Sequence, residues 1–296
     1  MHPYSTSIKT LKSIVEEKTK GALKIDIYWA QSLVPVKEEF DACASGVCDI
    51  STCVTPYFVG KVPIIDTSAV PFYANFDTWP KADMEARPYW EKAFAKQNLK
   101  HLCIPIIAVY DLYMHKGWAK TPADLKGKLL RSPGGGLERC QVLWGATPVT
   151  LTVAEEYEAI KRGTTDGTTC SIPTFFRLKL YEVAKYVTHL ELPIASVSIV
   201  MNLDTWNSLP KEWQKIIEDA LPEVDRATVE ATRKDIEAAM GRYKEVGMSI
   251  YIPTEEERAK WITPVMPIWD EYAKKLGPDG EAVLKIFRKW SLEYKK

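Results

Sequence analysis

Apolar positions at Ile8, Leu11, Ile14 and Val15 recur at helical spacing behind the hydroxyls of Ser5 and Ser7, which can cap the turn. The pattern predicts a first helix that ends at Gly21. Leu23, Ile25, Ile27 and Trp29 then alternate with Lys24, Asp26 and Tyr28, the period-two signature of a strand. Pro35 opens a short second helix with Glu38 and Glu39 in its first turn, where acids suit the helix dipole, and Gly46 closes it. Cys48 to Val54 reads as the next strand. Helix, strand, helix and strand in succession predict an α/β layer architecture.

Between Pro56 and Pro80 the chain is too rich in proline and aromatics for one regular element. Helix resumes over 81–97, and His101 to His115 is a long apolar run with β-branched and aromatic residues. A second βα series starts after Thr121-Pro122: a strand over Lys128 to Arg131, then Gly134-Gly135-Gly136 leading into a helix that ends near Gly145. Glu155 to Lys161 reads as helix, Asp166-Gly167 opens a short strand, Val197 to Asn202 is another, and Pro210 to Leu221 is helical. The longest predicted helix, Glu223 to Val246, would reach roughly 35 Å at 1.5 Å per residue, enough to serve two lobes as a strut.

The 296 residues are 46% hydrophobic and 26% charged, so disordered, collagen-like and disulfide-scaffold classes drop out. Thirty-nine basic and thirty-nine acidic residues cancel, and a pI of about 6.9 removes the polycationic signature of a nucleic-acid partner. The apolar run Leu102 to Tyr110 holds Pro105 and is about half the 18 residues a membrane span needs. His2, Pro3 and Ser5 pass straight into the first helix without a secretion-signal pattern, which taken literally predicts a cytoplasmic chain. Ten Trp and fourteen Tyr are more than a core of this size requires and suit a small-molecule cleft.

Candidate chemistry is sparse. Cys43, Cys48 and Cys53 recur every five residues, which matches neither zinc-ribbon nor thiol-redox spacing, and four scattered His form no metal motif, so no metal or cofactor is expected. The three glycines at 134–136 could hold an anion on a helix start, yet they lack the P-loop Lys and the dinucleotide spacing; a tight strand-to-helix turn is the simpler reading. The acidic pairs Glu16-Glu17, Glu38-Glu39 and Glu155-Glu156 sit on helices, where neighbours point about 100° apart, so one member of each is expected in solvent. Arg131 stands out. It ends the strand Leu129-Leu130-Arg131, and strand C-termini in α/β lobes face ligand crevices, where a guanidinium matches a carboxylate with two parallel hydrogen bonds. A surface salt bridge is the competing reading of the same residue.

Several blocks occur together in one order: Glu17-Lys18-Thr19-Lys20-Gly21, Ala30-Gln31-Ser32-Leu33, Gly46-Val47-Cys48-Asp49-Ile50, Val70-Pro71-Phe72, and above all Thr121-Pro122-Ala123-Asp124-Leu125-Lys126-Gly127-Lys128-Leu129-Leu130-Arg131. Gly145-Ala146-Thr147-Pro148-Val149, Glu155 with Tyr157, Gly163-Thr164-Thr165-Asp166-Gly167 and Val200-Met201-Asn202-Leu203-Asp204-Thr205-Trp206 continue the series. In this the chain resembles the solute-binding subunits of tripartite ATP-independent periplasmic (TRAP) transporters, of the C4-dicarboxylate-binding DctP type. The resemblance implies a two-lobed α/β, periplasmic-binding-protein-like (type II) fold, with crossing strands and a long helix spanning both lobes. One lobe is expected over 1–115 plus about 200–247, the other over about 116–199 plus 248–296, with the ligand cleft between them. It implies a periplasmic receptor, not an enzyme, that hands a small organic acid to membrane permease subunits, with Arg131 holding the ligand carboxylate.

Three departures refine the expectation. The family starts with a strand and a secretion signal ahead of a turn like His2-Pro3, so a first strand is expected to be missing here. Where sialic-acid and dicarboxylate members carry a second arginine, ungapped counting places Asp111; where many carry Asn after Asp-Gly, this chain has Cys170, beside Thr169. An acid at 111 would repel a second carboxylate, which predicts a monocarboxylate with a neutral, hydroxylated or cationic far end. Tyr73, Tyr110 and Tyr113 would form an aromatic wall; a strand offset by one residue would put Tyr110 rather than Asp111 in the pocket. Two other function classes stay open: an enzyme using Cys170 near His189, and a ligand-sensing receptor of a signalling system.

Overall fold

The computed structural model describes residues 3–69, 77–193 and 197–294. Helix α1 (Pro3–Lys18) buries Ile8, Leu11 and Val15, the face its spacing predicts. There follow α2 (Glu39–Ala44), β1 (Ile50–Val54), α3 (Trp79–Ala95), β2 (Leu99–Cys103), β3 (Val109–Met114), β4 (Leu129–Ser132), α4 (Gly135–Leu143) and β5 (Thr147–Thr150). The second half holds α5 (Glu156–Lys161), β6 (Gly167–Ser171), α6 (Ile172–Arg177), β7 (Tyr186–Pro193), β8 (Val197–Asn202), α7 (Leu203–Ser208), α8 (Lys211–Glu245), β9 (Ser249–Tyr251), α9 (Glu255–Ile262) and α10 (Ile268–Tyr294). No helix among the described residues is long and apolar enough to cross a membrane.

Two sheets organise two lobes. The smaller has the order β1-β8-β2; the larger runs β5-β4-β6-β3-β7-β9. The chain passes between them from β2 to β3 through 104–108, and from β7 to β8 through 194–196, which lie outside the described residues. Helix α8 is the third link. Its first half packs Ile217, Leu221 and Val224 on α1 and the smaller sheet, and its second half packs Ala239 and Tyr243 against Tyr113 and Phe175 of the larger-sheet lobe. Midway, Thr232 Oγ1 donates to the carbonyl of Ile106 in the first passage (3.1 Å).

Two expectations about individual elements need correction. The two helices predicted on either side of Pro222 are one helix of 35 residues, about 52 Å long. Ile217, Ala220, Leu221, Val224 and Thr228 form one buried stripe through the proline, and that packing outweighs the roughly 3 kcal/mol local cost of proline inside a helix. Leu23 to Trp29 alternates as a strand should, yet it forms none among the described residues. Side chains of α1 and of Thr19 just beyond it tie it down instead: Ile25 N donates to Glu16 Oε1 (3.0 Å), Lys12 Nζ donates to the Ile25 carbonyl, and Leu23 N donates to Thr19 Oγ1 (3.2 Å). A groove of about 520 Å³ lies between this segment and β1. Strand β3, counted with the first lobe from sequence, is hydrogen-bonded to β6 and β7 in the larger sheet. The C-terminal helix α10, counted with the second, rests Phe287 on Trp79 and Trp90 of α3.

Gly167 opens β6 opposite Met114, and a Cβ there would stand 2.2 Å from the Tyr113 carbonyl and 2.8 Å from the Met114 sulfur. Backbone cannot yield as a side chain can. Gly167→Ala is therefore expected to destabilise the protein by about 1–3 kcal/mol, as overpacking does, read as a fall in the urea midpoint; a midpoint within error of the parent would contradict the close approach.

Candidate ligand-binding site

Arg131 is the third residue of β4, in register with Val149 of β5 and Thr168 of β6. The strand turns into α4 through Gly134 and Gly135, both at positive φ, with Ser132 Oγ accepting from Gly134 N (3.1 Å). That turn is already occupied by a protein acid: Gly136 N donates to Asp66 Oδ1 (3.3 Å), while Tyr272 donates to Asp66 Oδ2 (2.6 Å). The glycines serve the fold there, as the simpler sequence reading has it.

The Arg131 side chain is only 2% exposed. Its Nε donates to the Leu151 carbonyl (3.0 Å) and its Nη1 meets Glu156 Oε1 at 2.9 Å. Glu156 begins α5, where the helix dipole favours an anion, and it too is fully buried. Thr168 Oγ1 donates to the same Oε1 (2.7 Å). Burial pushes the Glu156 carboxyl above the usual carboxylate range, and the Arg131 charge and the Thr168 bond pull it back. The outer atom of each group is left over. Arg131 Nη2 and Glu156 Oε2 are buried and have no hydrogen-bond partner among the described residues.

Tyr57, just beyond β1 of the smaller sheet, lies within electrostatic range of this pair. Burial raises its phenol, the Arg131 charge lowers it and the Glu156 charge raises it, so all three groups share one electrostatic neighbourhood. Lys37 sits over the Tyr57 ring at 6.0 Å. Glu155, by contrast, is exposed and turned back to its own helix start, accepting from Thr152 N (2.8 Å) and Thr152 Oγ1 (2.6 Å). One member of that acidic pair is in solvent, as expected from helical geometry, and the other is at Arg131.

The remaining sequence candidates fall elsewhere. Asp111 shares a sheet face with Tyr113 and Cys170, but both its carboxylate oxygens are taken: Oδ1 by Glu191 N (3.1 Å), Oδ2 by His189 Nδ1 (2.7 Å) and the Tyr243 hydroxyl (3.2 Å). The repulsion of a second carboxylate argued from Asp111 therefore loses its basis. Thr169 points to the other face, where Gln141 Nε2 donates to its hydroxyl (3.2 Å). Tyr110 is half-buried on the opposite face of β3 from Asp111 and packs on the largest apolar cluster. Tyr113 is no cleft wall; it is buried, stacked on Phe175 at 3.8 Å with its hydroxyl 2.6 Å from that of Tyr243. Tyr73 and the Val70-Pro71-Phe72 block lie outside the described residues.

Cys170 lies on the Arg131 face, close enough for its thiol to feel Arg131 and Glu156, but burial holds that thiol protonated, well above its usual range. His189 cannot serve it as a base, because its second nitrogen is also engaged, 2.9 Å from Glu191 Oε1. Sequence reasoning missed Glu156, Thr168 and Tyr57. The first had a legible signal: Thr152 and Glu155 form a capping box, which turns residue 155 outward and the next residue in.

The family model for bacterial extracellular solute-binding proteins of family 7, DctP, matches residues 1–275. The C4-dicarboxylate-binding periplasmic protein DctP of Rhodobacter capsulatus is 23% identical over 289 residues, 96% of this chain and 86% of that one. A TRAP periplasmic solute-binding protein from Desulfovibrio salexigens, solved with orotic acid, superposes with a TM-score of 0.87 at 22% identity, covering 99% of this chain and 96% of the other. DctP6, a Bordetella pertussis extracytoplasmic solute receptor binding pyroglutamic acid, gives 0.84 at 23% identity over 98% and 96%. With the model match spanning nearly the whole chain and the two-lobed fold shared, this protein belongs to the DctP family of bacterial extracellular solute-binding proteins, family 7.

Proposed function

We propose that this chain is the periplasmic receptor of a TRAP transporter, capturing a small organic acid between its lobes and presenting it to the membrane permease subunits without altering it. The observation that carries the reading is the Arg131 guanidinium: buried at the C-terminal end of a strand, close enough for its charge to act on Tyr57 beyond the smaller sheet's β1, with Nη2 unspent. A carboxylate placed there receives charge-assisted hydrogen bonds in a water-poor setting, where they are strongest. Contacts from both lobes stabilise the closed arrangement over the open one, and closure is what a membrane partner can read.

A thermal-shift screen of mono- and dicarboxylates tests this. A ligand at a hundred times its dissociation constant adds about 2.7 kcal/mol of stability, roughly 5–10 °C for a chain of this size. At least one small acid is expected to give a saturable shift of that order and to be recovered chemically unchanged. A screen in which only uncharged solutes shift the transition, or in which the bound acid is converted, would overturn the reading.

A further inference from the structure

Arg131 has more capacity than its protein partners use, and so does Glu156. A guanidinium only donates and an ionised carboxylate only accepts, so the two unspent atoms ask for opposite things. Nη2 needs an acceptor; Oε2 needs a donor. Each is the geminal neighbour of an atom in the 2.9 Å Arg131–Glu156 contact, so both demands fall within the span of one small molecule. An ion pair built only to hold the fold would have no reason to leave a donor and an acceptor buried together. A ligand with acceptors alone, such as a plain dicarboxylate, would satisfy Nη2, leave Oε2 dry and bring its own anion against Glu156.

From this, and resting on the carboxylate-receptor reading above, we infer that Glu156 determines specificity: the ligand is a small acid that carries an N–H or O–H donor on the atom next to its carboxylate-bearing carbon or on that carbon itself. α-Amino acids, lactam acids and α-hydroxy acids form this class. Their carboxylate goes to Arg131 and their donor to Glu156 Oε2. The corresponding keto acids, lactones and unsubstituted acids lack the donor and leave a buried carboxylate oxygen unpaired, the situation in which polar sites discriminate most strongly.

The test uses matched pairs of acids that differ only in the donor: pyroglutamate against its lactone analogue, a set of α-hydroxy acids against the α-keto acids of the same skeletons, and α-amino acids against their deaminated counterparts. Calorimetric titration of the full chain is expected to show the donor-bearing member of the bound pair at least ten-fold tighter. In Glu156→Gln, whose amide can offer an N–H to the ligand, that preference should fall to three-fold or less, or invert. Equal binding of donor and donor-free members by the parent chain overturns the role of Glu156 while leaving the receptor reading intact, and this outcome does not depend on the variant folding. Undiminished preference in a folded Glu156→Gln protein overturns it too. If no acid of any pair binds while another carboxylate gives a saturable shift in the screen, the inference fails and the receptor reading stands; if no carboxylate binds at all, both fall.

Discussion

Arg131→Ala binds small carboxylates at least about thirty-fold more weakly than the parent chain in calorimetric titration. Truncating one partner of a buried, hydrogen-bonded charge pair costs about 2–5 kcal/mol, and 1.4 kcal/mol is a factor of ten, so the loss runs from some thirty-fold to a few thousand-fold. The same substitution strips Glu156 of its counter-charge in a buried site. Breaking a buried pair from one side typically lowers stability by about 3–5 kcal/mol, so the variant should also melt earlier. These two effects separate in the double variant Arg131→Ala/Glu156→Gln. Stability returns in part, because no uncompensated charge is left in the interior; affinity for acids does not. Arg131→Lys is an intermediate case, since a point charge keeps the attraction but loses the planar fork and the bond from Nε to Leu151. Parent-like affinity in a folded Arg131→Ala protein would remove the guanidinium from the ligand site.

How far residues alone could carry this picture depended on the range of the physics behind each element. Helix α1 was legible because its buried face is a local repeat, and β4 because its apolar run ends in a turn of glycines. Arg131 could be picked out for the same reason: its place at a strand end is a local fact. The alternation from Leu23 to Trp29 is equally clear, but a strand exists only where a neighbour accepts its hydrogen bonds, and alternation says nothing about the neighbour. Pro222 looked like a helix end because its cost is local, whereas the stripe that outweighs it is tertiary. Asp111 shows the limit most plainly. Counting along the chain gave its position, but its partners His189 and Tyr243 are 78 and 132 residues away, and they decide what its carboxylate does. Glu156 was hidden by the opposite error, a general rule about acidic pairs that is correct for Glu155 and silent about which member turns in.

The acid at 111 belongs to the scaffold, and its contribution should be visible as a pH dependence of stability. Burial by itself would lower the His189 imidazole, but the charge and hydrogen bond of Asp111, followed by Glu191, push it up to about 10. An unperturbed histidine titrates near 6.5. The folded state therefore binds the proton more tightly than the unfolded chain, and the resulting stabilisation is complete below about 6.5 and lost as the pH climbs through about 10. Three and a half units correspond to some 5 kcal/mol at most; the Glu191 arm is half exposed and screened, so roughly 2–3 kcal/mol is the expected fall in unfolding free energy between pH 6 and pH 10. The bonds that weaken tie β3 to β7 and, through Tyr243, to α8, close to where β7 leaves the larger sheet. His189→Gln should be less stable at pH 6 by about 3 kcal/mol, because Asp111 is then a buried charge without its partner. It should also lose the excess slope above pH 7, so that parent and variant converge toward pH 10 in urea titrations. Tyrosines and lysines titrate in the same window, which is why the difference between the two proteins, and not the slope of either, is the measured quantity. Parallel curves for parent and variant from pH 6 to 10 would mean that His189 binds its proton no more tightly in the folded protein than in the unfolded chain, and that its contact with Asp111 is not a charged pair.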